Sequence, residues 1–314
     1  MTPVVGLRRM THHWGYASAA VSAALFGLGS VAAKLLLEGV HPLWVASLSY
    51  LLSGVLLLTL RVSSRGRVRR LYEFLGIPQH GFPSLHRSDL VLLIPVVLFG
   101  AVLGPLAYMT GLSRTAASVA SVLSISENAF TVLLAASLLG ERLRPAEVPP
   151  IAATLVGVTY LSWASSGGRG PGDALGNLLI VAACLLWSFD NLLSKVLSLR
   201  GDPFEVAGLK SLLGGGALAA VAASAGVVLT LGPVQALLLA SLGFVSIGLS
   251  MSLYISALRH IGAGRTSVIF ASSALFGVVA ARAILGETLT VGQWLACLLT
   301  LSGVAGLYGV GGRG

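Results

Sequence analysis

The sequence has 314 residues, of which 55% are apolar and only 10% charged, and its mean hydropathy is +0.90. An average soluble domain carries about 25% charged residues, so this composition excludes a soluble enzyme, and it excludes disorder as well. The net charge of +9 would suggest nucleic acid as a partner of a soluble protein, but the basic residues lie between apolar blocks without any nucleic-acid-binding motif.

Ten apolar blocks follow one another along the chain, and a helix needs about 20 apolar residues to cross a bilayer. The first block, from Trp14 to Leu37, is longer than the apolar core of a signal peptide and is interpreted as a retained span. The predicted spans are 15–36, 43–61, 89–110, 116–139, 147–164, 174–197, 204–228, 234–258, 264–285 and 290–309. The sequence therefore predicts an all-α polytopic membrane protein with ten transmembrane helices.

Basic residues are concentrated on one side of these predicted spans. With the N-terminus in the cytoplasm, 15 Lys and Arg lie on the inner side and 4 lie toward the outer side. Cytoplasmic loops collect Lys and Arg, so the distribution predicts that both termini are cytoplasmic. The longest loop, 62–88, is basic and is expected to rest on anionic lipid, with a regulatory or partner-binding role as the alternative.

The two halves of the sequence share spaced patterns. A Phe or Trp, then Lys, then Pro, each eight positions apart, occupies 26–42 and again 187–203, an offset of 161 residues. Leu-Gly-Glu-x-Leu occupies 139–143 and again 285–289, an offset of 146. Each half holds five predicted spans, and because five is odd the second half enters the membrane inverted. Such a pair of inverted repeats favours a carrier over a channel or a membrane enzyme.

These repeated patterns resemble the EamA domain of the drug/metabolite transporter superfamily. The residues that carry the resemblance are Leu25-Phe26-Gly27 with Lys34, Leu186-Trp187-Ser188 with Lys195, and the two Leu-Gly-Glu-x-Leu ends. The resemblance covers roughly residues 15–309 and extends to the aromatic amino-acid and metabolite exporters. It implies a ten-helix bundle with a central cavity, which exports or exchanges small metabolites such as amino acids by alternating access.

The predicted organisation follows from the repeat. It comprises a cytoplasmic tail 1–14, a first five-helix repeat 15–164, a linker 165–173, an inverted second repeat 174–309 and a cytoplasmic tail 310–314. The expected location is the bacterial cytoplasmic (inner) membrane, in contact with the lipid bilayer. The chain is expected to function as a monomer, because it supplies both halves of a carrier.

Glu127 is the first candidate for substrate chemistry. It lies near the middle of the fourth span, where a carboxylate costs a few kcal/mol unless it is paired, protonated or hydrated. The second half carries Ser273 at the corresponding position, so the charge is not duplicated. Glu127 either faces the cavity, where it binds a substrate amine or carries a proton, or makes a packing hydrogen bond. The family commonly has Glu-Pro here, and Asn128 in place of the proline predicts a straighter helix.

Asp190 and Lys210 are two further charges without a counterpart in the other half. Their counterparts are Gly29 and Ser49. At 1.5 Å of rise per residue, both lie roughly 10 Å inside the inner boundary, on consecutive helices, so they can form an ion pair. That pair is either structural or part of a gate or proton relay. The duplicated Lys34 and Glu287 sit at helix ends instead, where they are expected to snorkel or cap.

The candidate substrate-binding set adds neighbouring amides and aromatic side chains to these charges. It comprises Glu127, Asn128, Asp190, Asn191, Lys210, Tyr50, Tyr108, Tyr254, Phe26, Trp187, Trp163 and Phe270. No catalytic residue, metal site or cofactor is predicted, and the two cysteines are interpreted as buried apolar residues. The expected partner is a small-molecule substrate, with protons as a candidate coupling ion. A passive facilitator or channel is the alternative, followed by an intramembrane enzyme or sensor.

Overall fold

The computed structural model describes residues 3–62, 85, 89–138, 145–166, 171–198, 202–261, 266 and 269–311. Within these ranges every regular element is helical, and ten helices follow the order of the ten predicted spans. They are α1 (Pro3–Leu37), α2 (Pro42–Val62), α3 (Leu90–Val97, Leu98–Leu103 and Gly104–Arg114), α4 (Ala117–Leu123 and Ser126–Leu138), α5 (Val148–Ser166), α6 (Pro171–Ser198), α7 (Pro203–Ser224), α8 (Pro233–Ala240, Ser241–Leu249 and Ser250–Ile261), α9 (Ser273–Leu285) and α10 (Val291–Gly311).

Seven stretches within these helices are long and apolar enough to cross a membrane. They are Trp14–Leu37, Pro42–Val62, Leu90–Arg114, Ala117–Leu138, Ala174–Ser194, Pro203–Ser224 and Pro233–Ala257. Shorter apolar helices cover Ser273–Leu285 and Val291–Gly306. The prediction of an all-α polytopic membrane protein is therefore confirmed.

The structure differs from the predicted boundaries at the N-terminus. Helix α1 begins at Pro3, so the predicted tail 1–14 is helical from that residue onward. Proline suits the first position of a helix, and no stop signal separates it from the apolar span. Several other predictions fall outside the described residues, namely those on most of loop 62–88, on 167–170 of the linker, on 312–314 of the C-terminal tail, on Glu141 and on the side chain of Lys195.

Two helices widen into π-helical turns near their middle. In α3 the widened stretch is Leu98–Leu103, which lies between Pro95 and Pro105, and in α8 it is Ser241–Leu249. The offset of 146 residues maps the first stretch onto 244–249, inside the second. Widened turns of this kind occur frequently at functional sites.

Helices of one half pack mainly against helices of the other. Helix α2 packs on α7, α5 on α10, α1 on α8 and α9, and α6 on α3 and α4. At the α5–α10 crossing, a Cβ on Gly157 would lie 2.9 Å from the Thr300 nitrogen, and one on Gly303 would lie 2.7 Å from the Thr154 nitrogen. These glycines and threonines are related by the offset of 146, so the two contacts repeat each other. Only residues without a side chain permit so close an approach.

The C-terminal end of α2 is tied to the start of α7. Asp202 caps α7 by accepting hydrogen bonds from the nitrogens of Phe204 (2.8 Å) and Glu205 (3.3 Å). Arg61, at the end of α2, lies 3.5 Å from the Asp202 carboxylate and 3.7 Å from that of Glu205, and all three side chains are buried. The start of α7 therefore packs firmly against the end of α2.

Candidate functional site

Helix α4 is broken immediately before Glu127. At the break the nitrogens of Ile125, Glu127 and Asn128 donate to carbonyls only three residues earlier, at 3.1–3.3 Å. The hydroxyls of Ser124 and Ser126 donate to nearby carbonyls at 2.8 and 2.7 Å. The expectation of a straighter helix was wrong, because serines that bond to the backbone compete with the regular helical pattern even where the proline is absent.

A matching break lies in the other half. The nitrogens of Ser272, Ala274 and Leu275 also donate to carbonyls three residues earlier, at 2.9–3.4 Å, just as α9 begins at Ser273. In α4 the break places Glu127 in the first turn of the second segment, Ser126–Leu138. A carboxylate is favoured there, because the positive end of the helix dipole points toward it.

The Glu127 side chain is half-buried and bonds to α6. Asn191 donates its side-chain nitrogen Nδ2 to Glu127 Oε1 at 2.6 Å. One turn earlier on α6, the Ser188 hydroxyl donates to the Glu127 carbonyl at 2.9 Å and to the Cys184 carbonyl at 2.7 Å. Helices α4 and α6 are thus joined at the break by a carboxylate, an amide and a hydroxyl.

Asp190, the residue before Asn191, forms the predicted ion pair with Lys210 of α7. Lys210 Nζ lies 2.5 Å from Asp190 Oδ2, and the Ser194 hydroxyl donates to Asp190 Oδ1 at 2.7 Å. Asp190 is 3% exposed and Lys210 is 8% exposed. A Cβ on Gly100, in the π-helical stretch of α3, would collide with the Asp190 carboxylate. The pair therefore fits only because α3 has no side chain there.

An aromatic group adjoins the two carboxylates. The rings of Trp187 on α6 and Tyr108 on α3 lie 5.3 Å apart between centroids. Tyr50 on α2 lies close to the Trp187 indole and within electrostatic range of both Asp190 and Glu127. Six of the candidate charged and aromatic residues, contributed by α2, α3, α4, α6 and α7, therefore meet in one region.

A second aromatic group lies in the corresponding position of the other half. Phe26 on α1 lies 5.2 Å from Phe270, and Tyr254 on α8 lies 4.8 Å from Phe270, both between ring centroids. Phe26 and Tyr254 correspond by sequence offset to Trp187 and Tyr108. The second group contains no ionisable carboxyl or amine, so the two halves offer unlike surfaces.

Trp163 lies on the outside of the bundle, and Asn128 has a hydrogen bond within its own helix. Trp163 is 72% exposed on α5, with its ring 6.0 Å from that of Tyr160, beside a shallow apolar groove. Asn128 is half-buried and donates to the Ile125 carbonyl at 3.2 Å, within its own helix. Aromatic character alone therefore did not indicate that Trp163 lies with the other aromatic candidates.

The predicted site set did not include Ser188, Ser194 or Gly100. Ser194 follows Asp190 by four positions, a spacing that places both on one helix face, so the signal was present. Ser188 follows Trp187 within the repeated pattern and had a comparable signal. The role of Gly100 depends on which helix faces Asp190, and nothing in the sequence indicates that.

Lys34 and Glu287 cap helix ends, as predicted. Lys34 Nζ donates to the carbonyls of Leu112 (2.8 Å) and Thr115 (2.7 Å) at the end of α3. Glu287 accepts from the nitrogens of Ala117 and Ser118, both at 2.9 Å, and from the Ser118 hydroxyl at 2.6 Å. Lys34 therefore joins α1 to the end of α3 within the first half, and Glu287 joins the second half to the start of α4.

The fold and site define a multi-pass helical membrane protein with a polar centre in an apolar bundle, and no group of His, Cys, Asp and Glu within the described part of the chain could hold a metal. The model of the EamA-like transporter family matches residues 13–163 and again 174–309. The chain belongs to this family.

Similar proteins agree with that assignment. An "Uncharacterized transporter" of Methanothermobacter thermautotrophicus is 30% identical over 310 residues, which cover 95% of this chain and 87% of the relative. "Uncharacterized transporter YetK" of Bacillus subtilis is 24% identical over 201 residues, covering 63% of this chain and 57% of the relative. A solved crystal structure shares the fold with a TM-score of 0.63 at 20% identity, covering 95% of this chain and 98% of the other.

Proposed function

We propose that the protein is a secondary transporter that moves small organic metabolites, such as amino acids, across the bacterial cytoplasmic membrane. The observation that carries the proposal is the group formed by Glu127, Asn191, Asp190 and Lys210 where α4, α6 and α7 meet. Polar groups inside a membrane are costly and generally mark a substrate or ion pathway. Aromatic side chains beside them supply apolar contact for the organic part of a solute.

We propose further that residues 15–164 and 174–309 form two inverted repeats. The family model matches each half separately, and the Gly157–Thr300 contact is repeated by Gly303–Thr154. The principal contacts between the halves, α2 with α7, α5 with α10, α1 with α8 and α9, and α6 with α3 and α4, also map onto each other when the halves are exchanged. Two halves of equal construction can exchange their conformations, and that exchange provides alternating access to a site between them.

The packing of α4 supports a central cavity that is open toward one side. Residues 117–123 are all buried, whereas residues 130–136 are only half-buried around the whole helix. On α6, Cys184 and Ser188 are fully buried, yet Asn191 on the same face is exposed. With both termini in the cytoplasm, as the basic residues predict, the loosely packed end is the cytoplasmic one. The proposed state is thus inward-open.

Protons are the proposed coupling ion, with Glu127 as their carrier. Within the described residues, the charged and titratable groups that interact with it electrostatically are Asp190, Lys210, Tyr50 and Cys184. In proteoliposomes, Glu127→Gln is expected to abolish the pH dependence of transport. Unchanged pH dependence and rate in the variant would refute coupling through this residue and leave passive facilitation.

The transport proposal is tested by solute counterflow in proteoliposomes. A thermal-stability screen with amino acids, amines, nucleosides and choline-like solutes first selects a ligand, because a bound ligand raises the melting temperature. Saturable accumulation of labelled ligand against its unlabelled form would support a carrier. Flux that never saturates would instead indicate a channel, and the absence of any flux would contradict transport.

A further inference from the structure

We propose that the central site selects solutes with one positive charge, primary amines without a carboxylate, over zwitterionic amino acids. The proposal rests on the proposed transport function and narrows the small organic metabolites named there to cationic amines, in place of amino acids, as the substrate class of that same site. It follows from which charges in the site are already neutralised and which are not.

The pair formed by Asp190 and Lys210 contributes no net charge. Lys210 Nζ contacts Asp190 Oδ2 at 2.5 Å, and the remaining carboxylate oxygen accepts from Ser194. Both charged side chains are almost fully buried. Separating them would leave an uncompensated charge in a medium of low dielectric, so neither is available to a solute at low cost.

Among the described side chains, the negative charge of Glu127 has no cationic partner. Within the described part of the chain its carboxylate is bonded to Asn191 alone, through a neutral amide. An amide donates a hydrogen bond but does not compensate a charge. The described side chains of the site therefore carry a total charge of −1 when Glu127 is ionised, and a monocationic solute would neutralise it.

A solute carboxylate would find no equivalent partner among the described lysines. Of the two lysines described near the bundle interior, Lys210 is held by Asp190, and Lys34 donates to the carbonyls of Leu112 and Thr115 at the end of α3. A zwitterion would thus bring its own negative charge close to Glu127 without compensation. Burial of such a charge is strongly unfavourable.

The aromatic residues strengthen the preference for a cation. Trp187, Tyr108 and Tyr50 lie beside the carboxylates, and the faces of such rings attract organic ammonium groups. Asn191 is exposed although it bonds to Glu127, so a solute can approach that carboxylate without opening the protein further. An amine attached to an apolar or aromatic body fits both features.

The test compares four ligands that share a phenyl ring and differ in charge. The melting temperature of the purified full-length protein is titrated at neutral pH with 2-phenylethylamine, phenylalanine, 3-phenylpropionate and 2-phenylethanol. We expect 2-phenylethylamine to bind at least tenfold more tightly than the other three. Equal or tighter binding of phenylalanine or 3-phenylpropionate, or no stabilisation by the amine, would overturn the proposal.

Two variants test whether the Glu127 carboxylate causes the preference for a cation. Glu127→Gln keeps the shape and should weaken binding of 2-phenylethylamine at least tenfold, whereas Glu38→Gln removes an exposed carboxylate outside the site and should leave it unchanged. Undiminished amine binding by Glu127→Gln would contradict the assignment. Transport is measured in a separate experiment. Counterflow of phenylalanine without binding of the amine would refute only the preference for cations. Binding of the amine without flux of any solute would refute only the transport function.

Discussion

The carboxylate of Asp190 lies against the backbone of Gly100, in space that a Cβ on residue 100 would occupy. The corresponding positions in the other half are Gly29 and Ser246, which also meet: a Cβ on Gly29 would lie 2.8 Å from that of Ser246. In both contacts a glycine of the first half meets a larger residue of the second half, but the glycine lies on α3 in one contact and on α1 in the other. This arrangement creates space for a charged pair at one position and leaves an uncharged contact at the other.

Gly100→Ala is expected to destabilise the protein by about 1–3 kcal/mol, because a methyl group must displace the buried Asp190 carboxylate or separate α3 from α6. Thermal unfolding in detergent measures the change. The control is Gly216→Ala on α7, where a Cβ meets no neighbouring atom within 4 Å. Equal melting temperatures for the two variants would contradict the contact.

Lys210→Met should destabilise the protein by about 3–5 kcal/mol, because it leaves the Asp190 carboxylate buried and uncompensated. The double variant Asp190→Asn/Lys210→Met removes both charges, so it should recover most of that loss. It should also keep the preference for cationic ligands, because Glu127 is untouched. An additive loss in the double variant would show that the two residues do not interact.

Glu287→Gln should cost about 1–2 kcal/mol of stability, because Glu287 accepts three hydrogen bonds at the first turn of α4 and its charge favours the helix dipole. Thr288→Ala alters the neighbouring exposed residue and serves as the control. A difference below experimental error between the variants would mean that the cap does not stabilise α4.

Asn191→Cys should react with a membrane-impermeant thiol reagent from the cytoplasmic side, because residue 191 is exposed on the loosely packed side of α4 and α6. The native cysteines, Cys184 and Cys297, are buried and provide the unreactive background. Bound 2-phenylethylamine should slow the labelling. Reaction only from the outer side would contradict the proposed inward-open state.

Much of the helical framework could be predicted from the sequence, because a membrane span requires a long apolar run and such runs are visible directly. The ion pair of Asp190 with Lys210 could be predicted as well, since helical rise gives the depth of each residue. The caps formed by Lys34 and Glu287 followed from their positions at helix ends. These predictions all depend only on where a residue lies along the axis of its helix.

The break in α4 and the contact of Gly100 with Asp190 could not be predicted in the same way. The break depends on the hydroxyls of Ser124 and Ser126 bonding to the backbone, and serine occurs in many unbroken helices. The Gly100 contact depends on how α3 and α6 rotate about their axes. Rotation is fixed by packing between helices, and one sequence carries little information about it.

Counterflow of labelled 2-phenylethylamine in proteoliposomes tests the central claim most directly, by comparing the wild type with Glu127→Gln and Glu38→Gln. Loss of a charged partner costs about 1.5–3 kcal/mol, so Glu127→Gln should transport at least tenfold more slowly. The wild type and Glu38→Gln should both show saturable accumulation at similar rates. Wild-type rates in Glu127→Gln would contradict the assignment of the substrate site to this carboxylate.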